Sequence, residues 1–168
     1  MTAPVTITAL PAGARFSLRT GDPATVGAGL GLELPARVGQ RAVAGARAAL
    51  CLGPDEWLVE APEGEGAAIA DAFAGLVERL TFSAVEVSDR EVGFALAGPA
   101  VLDLIATGCP RDPAKLPVGS GCRTIFDSVQ VVLTREAQDC FHLTVWRSFA
   151  PHLRALLDIA ARELAAGL

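Results

Sequence analysis

The sequence predicts an α+β fold, with mixed or antiparallel sheets backed by helices. Three observations carry that expectation. Phe141, Leu143 and Val145 alternate with His142, Thr144 and Trp146, the period-two pattern of a strand with one buried face. Farther on, Phe149, Leu153, Leu156, Leu157, Ala160 and Leu164 form a helical stripe, with Ser148 the expected N-cap and Pro151 tolerated in the first turn. From residue 42 to that helix, short strands and helices follow in local order, with a weak internal echo between two halves.

With 168 residues, 51% of them hydrophobic and 20% charged, the chain has ample apolar surface for a core. Residues 1–40 read as an irregular arm, punctuated by Pro4, Pro11, Pro23 and Pro35 and rich in Gly. Within it, Val5-Thr6-Ile7 and Arg15-Phe16-Ser17-Leu18 are extended pieces suited to a sheet edge or a partner. The run Gly27-Ala28-Gly29-Leu30-Gly31 lacks the G-x-G-x-x-G spacing of a dinucleotide site, and Pro35 follows too soon for a helix; it reads as a plain loop. Residues 41–168 read as a single compact domain made of two fused halves.

In that domain, residues 48–52 and 57–61 are expected as strands around a Gly53-Pro54-Asp55-Glu56 turn. Ile69, Phe73, Leu76 and Leu80 place a helix over 67–80. Strands follow over 84–87 and 92–97, turned by Ser88-Asp89-Arg90, where the Asp carboxylate caps the turn or an internal ion pair forms. Pro99 opens a short helix that Gly108 ends, and a Pro- and Gly-rich loop runs over 109–121. Strands over 122–126, 129–135 and 141–146 precede the last helix, on whose polar side Arg154, Asp158 and Arg162 stand at i, i+4 spacing.

Fourteen basic against 19 acidic residues leave a net charge of −5, which offers no positive field to phosphate backbones or anionic lipid. Nucleic acid and membrane are therefore not expected partners. No run approaches the ~20 apolar residues of a membrane-spanning helix, and the N-terminus does not read as a signal peptide. Cys51, Cys109, Cys122 and Cys140 are widely spaced without a C-x-x-C pair, which suits reduced, mostly buried thiols in the cytoplasm.

No catalytic, cofactor-binding or metal residues are readable. His142 and His152 lack metal-ligand spacing, and the cysteines are not placed to complete a zinc set. A Cys109/His142/Asp constellation remains the one thiol arrangement that folding would have to create. The informative features are instead candidate anchors, structural or interfacial. Trp57 starts a strand behind a Pro-Asp turn, and Arg90 closes the Ser88-Asp89-Arg90 turn. Arg147 sits between Trp146 and Phe149 at a strand-to-helix junction, where it stacks, pairs with a carboxylate or reaches across an interface.

These segments carry a resemblance. Leu52-Gly53-Pro54-Asp55-Glu56-Trp57-Leu58, Val85-Glu86-Val87-Ser88-Asp89-Arg90, Gly98-Pro99, Gly108-Cys109-Pro110 and Arg147-Ser148-Phe149 are similar to the gamma subunits of heterotetrameric sarcosine oxidases, from about residue 30 to the end. More remotely, the stretch from Val85 into the following helix resembles the folate-binding aminomethyltransferases of glycine cleavage. The resemblance implies an aminomethyltransferase-like, ferredoxin-related topology. It also implies a non-catalytic subunit packed with alpha, beta and delta chains. That assembly oxidises sarcosine to glycine and hydrogen peroxide and passes the one-carbon unit to tetrahydrofolate, with FAD, FMN, NAD and zinc held by the other chains. In the transferases an acid follows the Gly at the end of the short helix; here Cys109 does, and the nearest acid, Asp112, lies beyond Pro110. Their hairpin tip with paired acids is reduced to Asp127. A stand-alone folate-binding module is the other function such a fold would serve.

Overall fold

The computed structural model describes residues 4–167. Its elements are β1 (Thr6–Ala9), β2 (Gly13–Thr20), α1 (Pro23–Leu30), β3 (Arg41–Ala44), β4 (Arg47–Gly53), β5 (Glu56–Pro62), α2 (Gly66–Ala74), β6 (Phe82–Glu86), β7 (Glu91–Ala97), α3 (Val101–Ala106), β8 (Gly121–Phe126), β9 (Val129–Ala137), β10 (Cys140–Trp146) and α4 (Ala150–Ala166). They fall into two compact units. One is Ala12–Ser88; the other joins the segment ending at Pro11 to everything from Asp89 onward.

In Ala12–Ser88 an antiparallel sheet runs in the order β3-β4-β5-β2-β6. Leu18 lies opposite Trp57, which lies opposite Cys51, and Phe16, Val59 and Ala49 form the next row of the same face. Val26 and Leu30 of α1 and Ile69 and Phe73 of α2 pack on that face, so alternation in the strands and i, i+4 spacing in the helices meet in one core. Asp22 starts α1: its carboxylate accepts from the Thr25 N–H at 3.0 Å and from the Thr25 hydroxyl at 2.7 Å, with Pro23 in the first turn.

The unit from Asp89 has the sheet order β1-β7-β10-β9-β8, also antiparallel. Phe141, Leu143 and Val145 face its core with Leu96, Val131 and Leu133, covered by Leu104 and Ile105 of α3 and Leu153 and Leu157 of α4. The two units repeat one order: strand, helix, three strands, a 3-10 turn, helix, with a further 3-10 turn, Pro113–Lys115, after α3 in the unit from Asp89. They differ in the fifth strand, which is β6 after α2 in one and β1 from the N-terminal end in the other. The repeat extends to hydrogen bonds. After the first helix of each unit, Gly39 N–H donates to Cys51 O at 2.9 Å, and Gly119 N–H to Arg135 O at 2.7 Å. Both glycines have positive φ, 88° and 78°, a conformation that favours Gly at this turn.

Four expectations are corrected. Residues 1–40 are not an irregular arm and 41–168 are not one domain: β2 is hydrogen-bonded on both edges, and Phe16, Leu30, Leu32 and Leu34 are buried in their own unit. Pro and Gly there delimit short elements rather than prevent them. The Gly27–Gly31 run is the end of α1, not a loop, with Gly31 as a left-handed C-cap. The second helix ends at Ala74 rather than residue 80; Leu76 and Leu80 still pack on the core from hydrogen-bonded turns, so their spacing reports burial, not helix. Ser148 is not an N-cap, because the chain leaves β10 through a 3-10 turn, Arg147–Phe149, and α4 begins at Ala150.

Candidate functional site

The residues that would carry thiol chemistry are kept apart. Cys109 Sγ lies 3.7 Å from the Thr124 hydroxyl on β8, whereas His142 is on β10, with β9 between those strands. Thr124 shares its sheet face with Val131 and Val145, and His142 points to the opposite face, where its Nδ1 is 3.6 Å from Glu136 Oε1. Burial pushes the Cys51, Cys122 and Cys140 thiols up, so they stay protonated at neutral pH. All four cysteines are free. Among the described residues no three His, Cys, Asp or Glu side chains gather as metal ligands.

The acids near the transferase-like positions serve the backbone. Asp112 accepts from the Ala114 N–H at 3.0 Å and caps a 3-10 turn. Asp127 occupies the β8–β9 turn with φ 53°, and hydrogen bonds from Ser128 hold its carboxyl below the usual range, with His152 adding a smaller effect. Gly108 is shaped by packing: a Cβ there would lie 2.5 Å from the Phe126 ring. The Pro54-Asp55 turn locks register, since Arg19 of β2 reaches Asp55 at 3.2 Å and Glu56 at 3.2 Å. In the turn after β6, Ser88 supplies the side-chain bonds, accepting from Arg15 N–H at 3.0 Å and donating to Glu86 at 2.8 Å.

Of the three sequence-chosen anchors, Trp57 is a structural one only. It is 2% exposed, and its indole N–H donates to Pro35 O at 2.8 Å, pinning the loop after α1. It cannot touch a partner, because strand alternation turns it into the helix-covered face. Arg90 and Arg147 come together on the surface. The Arg90 guanidinium lies 5.1 Å from the Trp146 ring and pairs with Glu91 at 2.8 Å. Arg147 Nε donates to Asp89 O and its N–H to Arg90 O, both at 2.7 Å. Phe149 stacks at a tilt, 6.4 Å from Trp146, and the two aromatics are 46% and 43% exposed. The sequence places Trp146 on the strand face opposite Phe141, Leu143 and Val145, away from the core, and Phe149 in the apolar stripe of the last helix. The structure instead puts Phe149 in the 3-10 turn before α4, exposed beside Trp146.

This arrangement is a cation-aromatic cluster at the surface. A family model described as the sarcosine oxidase, gamma subunit family matches residues 19–163. The sarcosine oxidase subunit gamma of Corynebacterium sp. (strain U-96) is 30% identical over 151 residues, 84% of this chain and 72% of that protein. A chain of the heterotetrameric sarcosine oxidase from Corynebacterium sp. U-96, solved in complex with pyrrole 2-carboxylate, superposes with a TM-score of 0.89 at 27% identity, covering 98% of this chain and 88% of that one. The glycine cleavage system aminomethyltransferase T from Bartonella henselae shares the fold, at a TM-score of 0.70 and 15% identity, over 96% of this chain and 50% of the transferase.

Proposed function

The chain belongs to the sarcosine oxidase gamma subunit family, and from that premise we propose that it is the non-catalytic member of a heterotetrameric sarcosine oxidase. Its partners are the alpha, beta and delta chains of that assembly, which hold FAD, FMN, NAD and zinc. Together they oxidise sarcosine to glycine with formation of hydrogen peroxide and pass the one-carbon unit to tetrahydrofolate. The compartment is the cytoplasm, which suits four unpaired cysteines; among the described residues no helix is long and apolar enough to cross a membrane.

One observation carries the non-catalytic reading. Where the transferase-like pattern places an acid after the short helix, this chain has Cys109, 8% exposed and against Thr124. A thiol there neither protonates nor orients a folate nitrogen as a carboxyl would. The test uses the four-chain complex carrying Cys109→Ala and, separately, His142→Ala. Sarcosine turnover and one-carbon transfer are expected to stay within twofold of the parent at equal assembly. A tenfold loss in an intact complex overturns the reading. Calorimetry of the isolated chain with tetrahydrofolate checks the stand-alone alternative: a micromolar Kd, about −8 kcal/mol, would favour it.

A further inference from the structure

Trp146 and Phe149 stand where this fold requires no aromatic side chain. The other unit has the same junction: β5 ends at Pro62, a 3-10 turn spans Glu63–Glu65, and α2 begins at Gly66. Its helix buries Ile69 and Phe73 as α4 buries Leu153 and Leu157. Yet it is built from Pro62, Glu63, Gly64 and Glu65, a solvated turn tied down by the Glu65–Arg47 ion pair at 2.5 Å. The corresponding Trp146-Arg147-Ser148-Phe149 leaves two large rings nearly half exposed. Burial of the following helix therefore does not explain them. Exposed Trp, Phe and Arg grouped in one rigid patch is the composition of an interface hot spot.

Resting on the reading of this chain as an oxidase subunit, we propose that Arg90, Trp146, Arg147 and Phe149 are its docking patch for another chain of the assembly. The partner surface is an apolar pocket for the two rings, rimmed by carboxylates. Charge decides the rim. On a chain of net charge −5 this patch presents the Arg147 guanidinium, beside an Arg90 whose charge is shared with Glu91. Among the described residues Arg147 commits only its Nε, to the Asp89 carbonyl, which leaves its planar fork for a bidentate carboxylate. The stack of Arg90 on Trp146 and the two bonds from Arg147 hold the patch in shape before contact, which lowers the ordering cost of binding.

The test is made on the co-expressed complex, purified through a tag on a partner chain, with affinity measured for rebinding of this chain. Trp146→Ala with Phe149→Ala is expected to raise Kd at least about tenfold, as truncation of hot-spot anchors does. Arg90→Glu with Arg147→Glu is expected to do the same and to abolish the salt dependence of the parent. Val43→Ala and Ile159→Ala, exposed elsewhere, are expected to stay within twofold. Because an aromatic variant that misfolds would mimic lost docking, the unmutated chain is also labelled with 5-fluorotryptophan. On assembly the Trp146 fluorine resonance should shift and lose its solvent isotope effect, while that of Trp57 keeps its buried character. Parent-like affinity of the aromatic double variant, or an unchanged Trp146 resonance in the complex, overturns the patch and leaves the subunit reading standing. Failure of the parent chain to co-purify overturns both. Self-association of the chain alone that Trp146→Ala abolishes would make the occupant a second copy, and would also overturn the assignment.

Discussion

Ala12–Ser88 and the unit beginning at Asp89 run through the same strand and helix order, but each pins the loop after its first helix differently. In the first, Trp57 lies opposite Cys51, and one indole N–H reaches the Pro35 carbonyl. In the second, Phe141 takes the place of Trp57 and Arg135 that of Cys51. The Arg135 guanidinium, 5.2 Å from the Phe141 ring, donates to the carbonyls of Leu116 at 2.9 Å and Gln138 at 2.8 Å, with longer bonds to Ala114 and Ala137. One pin joins a buried ring and a donor in a single side chain; the other divides those tasks between two. The lesson is that the repeat preserves positions rather than residue types, so a residue lacking a counterpart in the other unit has a purpose the fold itself does not supply. The Trp146–Phe149 junction is such a case.

The comparison breaks most readily at the pins. Arg135→Leu strands the buried Leu116 carbonyl and removes three part-buried bonds, and hydrogen bonds from a charged donor contribute about 1.5–3 kcal/mol each, so a loss of about 3 kcal/mol or more is expected. Trp57→Phe strands only the Pro35 carbonyl and removes part of one ring, for about 1–2 kcal/mol. Urea unfolding of both variants measures the difference. Equal losses would mean that the two pins carry the same load and the distinction fails.

A smaller effect sharpens the comparison at the helix ends. Leu30 closes α1 with its side chain in the core and its carbonyl bound by Arg47 at 2.8 Å, whereas Gly108, after α3, has its carbonyl bound by the Asp127 N–H at 2.8 Å and the Phe126 ring over it. Gly108→Ala is expected to cost about 1–3 kcal/mol through overpacking, with part of it recovered by Phe126→Leu in the same chain. A Gly108→Ala variant as stable as the parent would show that Phe126 yields freely.

The smallest effect is acidic. Hydrogen bonds from Thr25 lower the Asp22 pKa from its ordinary 3.8, and those from Ser128, joined by His152, lower that of Asp127. A carboxylate with a depressed folded pKa stabilises above its unfolded value, and that stabilisation is lost as pH falls through the folded one. Each unit thus carries one exposed acid-labile turn. The advantage in Tm of the parent over Asp22→Asn or Asp127→Asn should be constant above pH 5 and shrink below 3.8. An advantage that persists unchanged to pH 2 would remove the carboxylate from that account.

Much of the chain after residue 42 was legible because local patterns suffice there. Phe141, Leu143 and Val145 announce a one-sided strand whatever it pairs with, and Leu153 and Leu157 a helix with a buried side. The motifs from Gly53 to Phe149 likewise carried the family, since tight turns restrict which residues can occupy them. Other decisions were long-range. α1, with Val26 and Leu30 as its buried aliphatics among Ala and Gly, is too short and too weak a helix former to show a period, and it owes its existence to packing. β2 is an interior strand because Leu18 meets Trp57 on one side and Ala84 on the other, partners remote in sequence. The fates of the two tryptophans diverged for the same reason. Residue type marked both as anchors, but which strand face the helices cover is settled by the burial of the whole unit, and that sent Trp57 inward and left Trp146 at the surface.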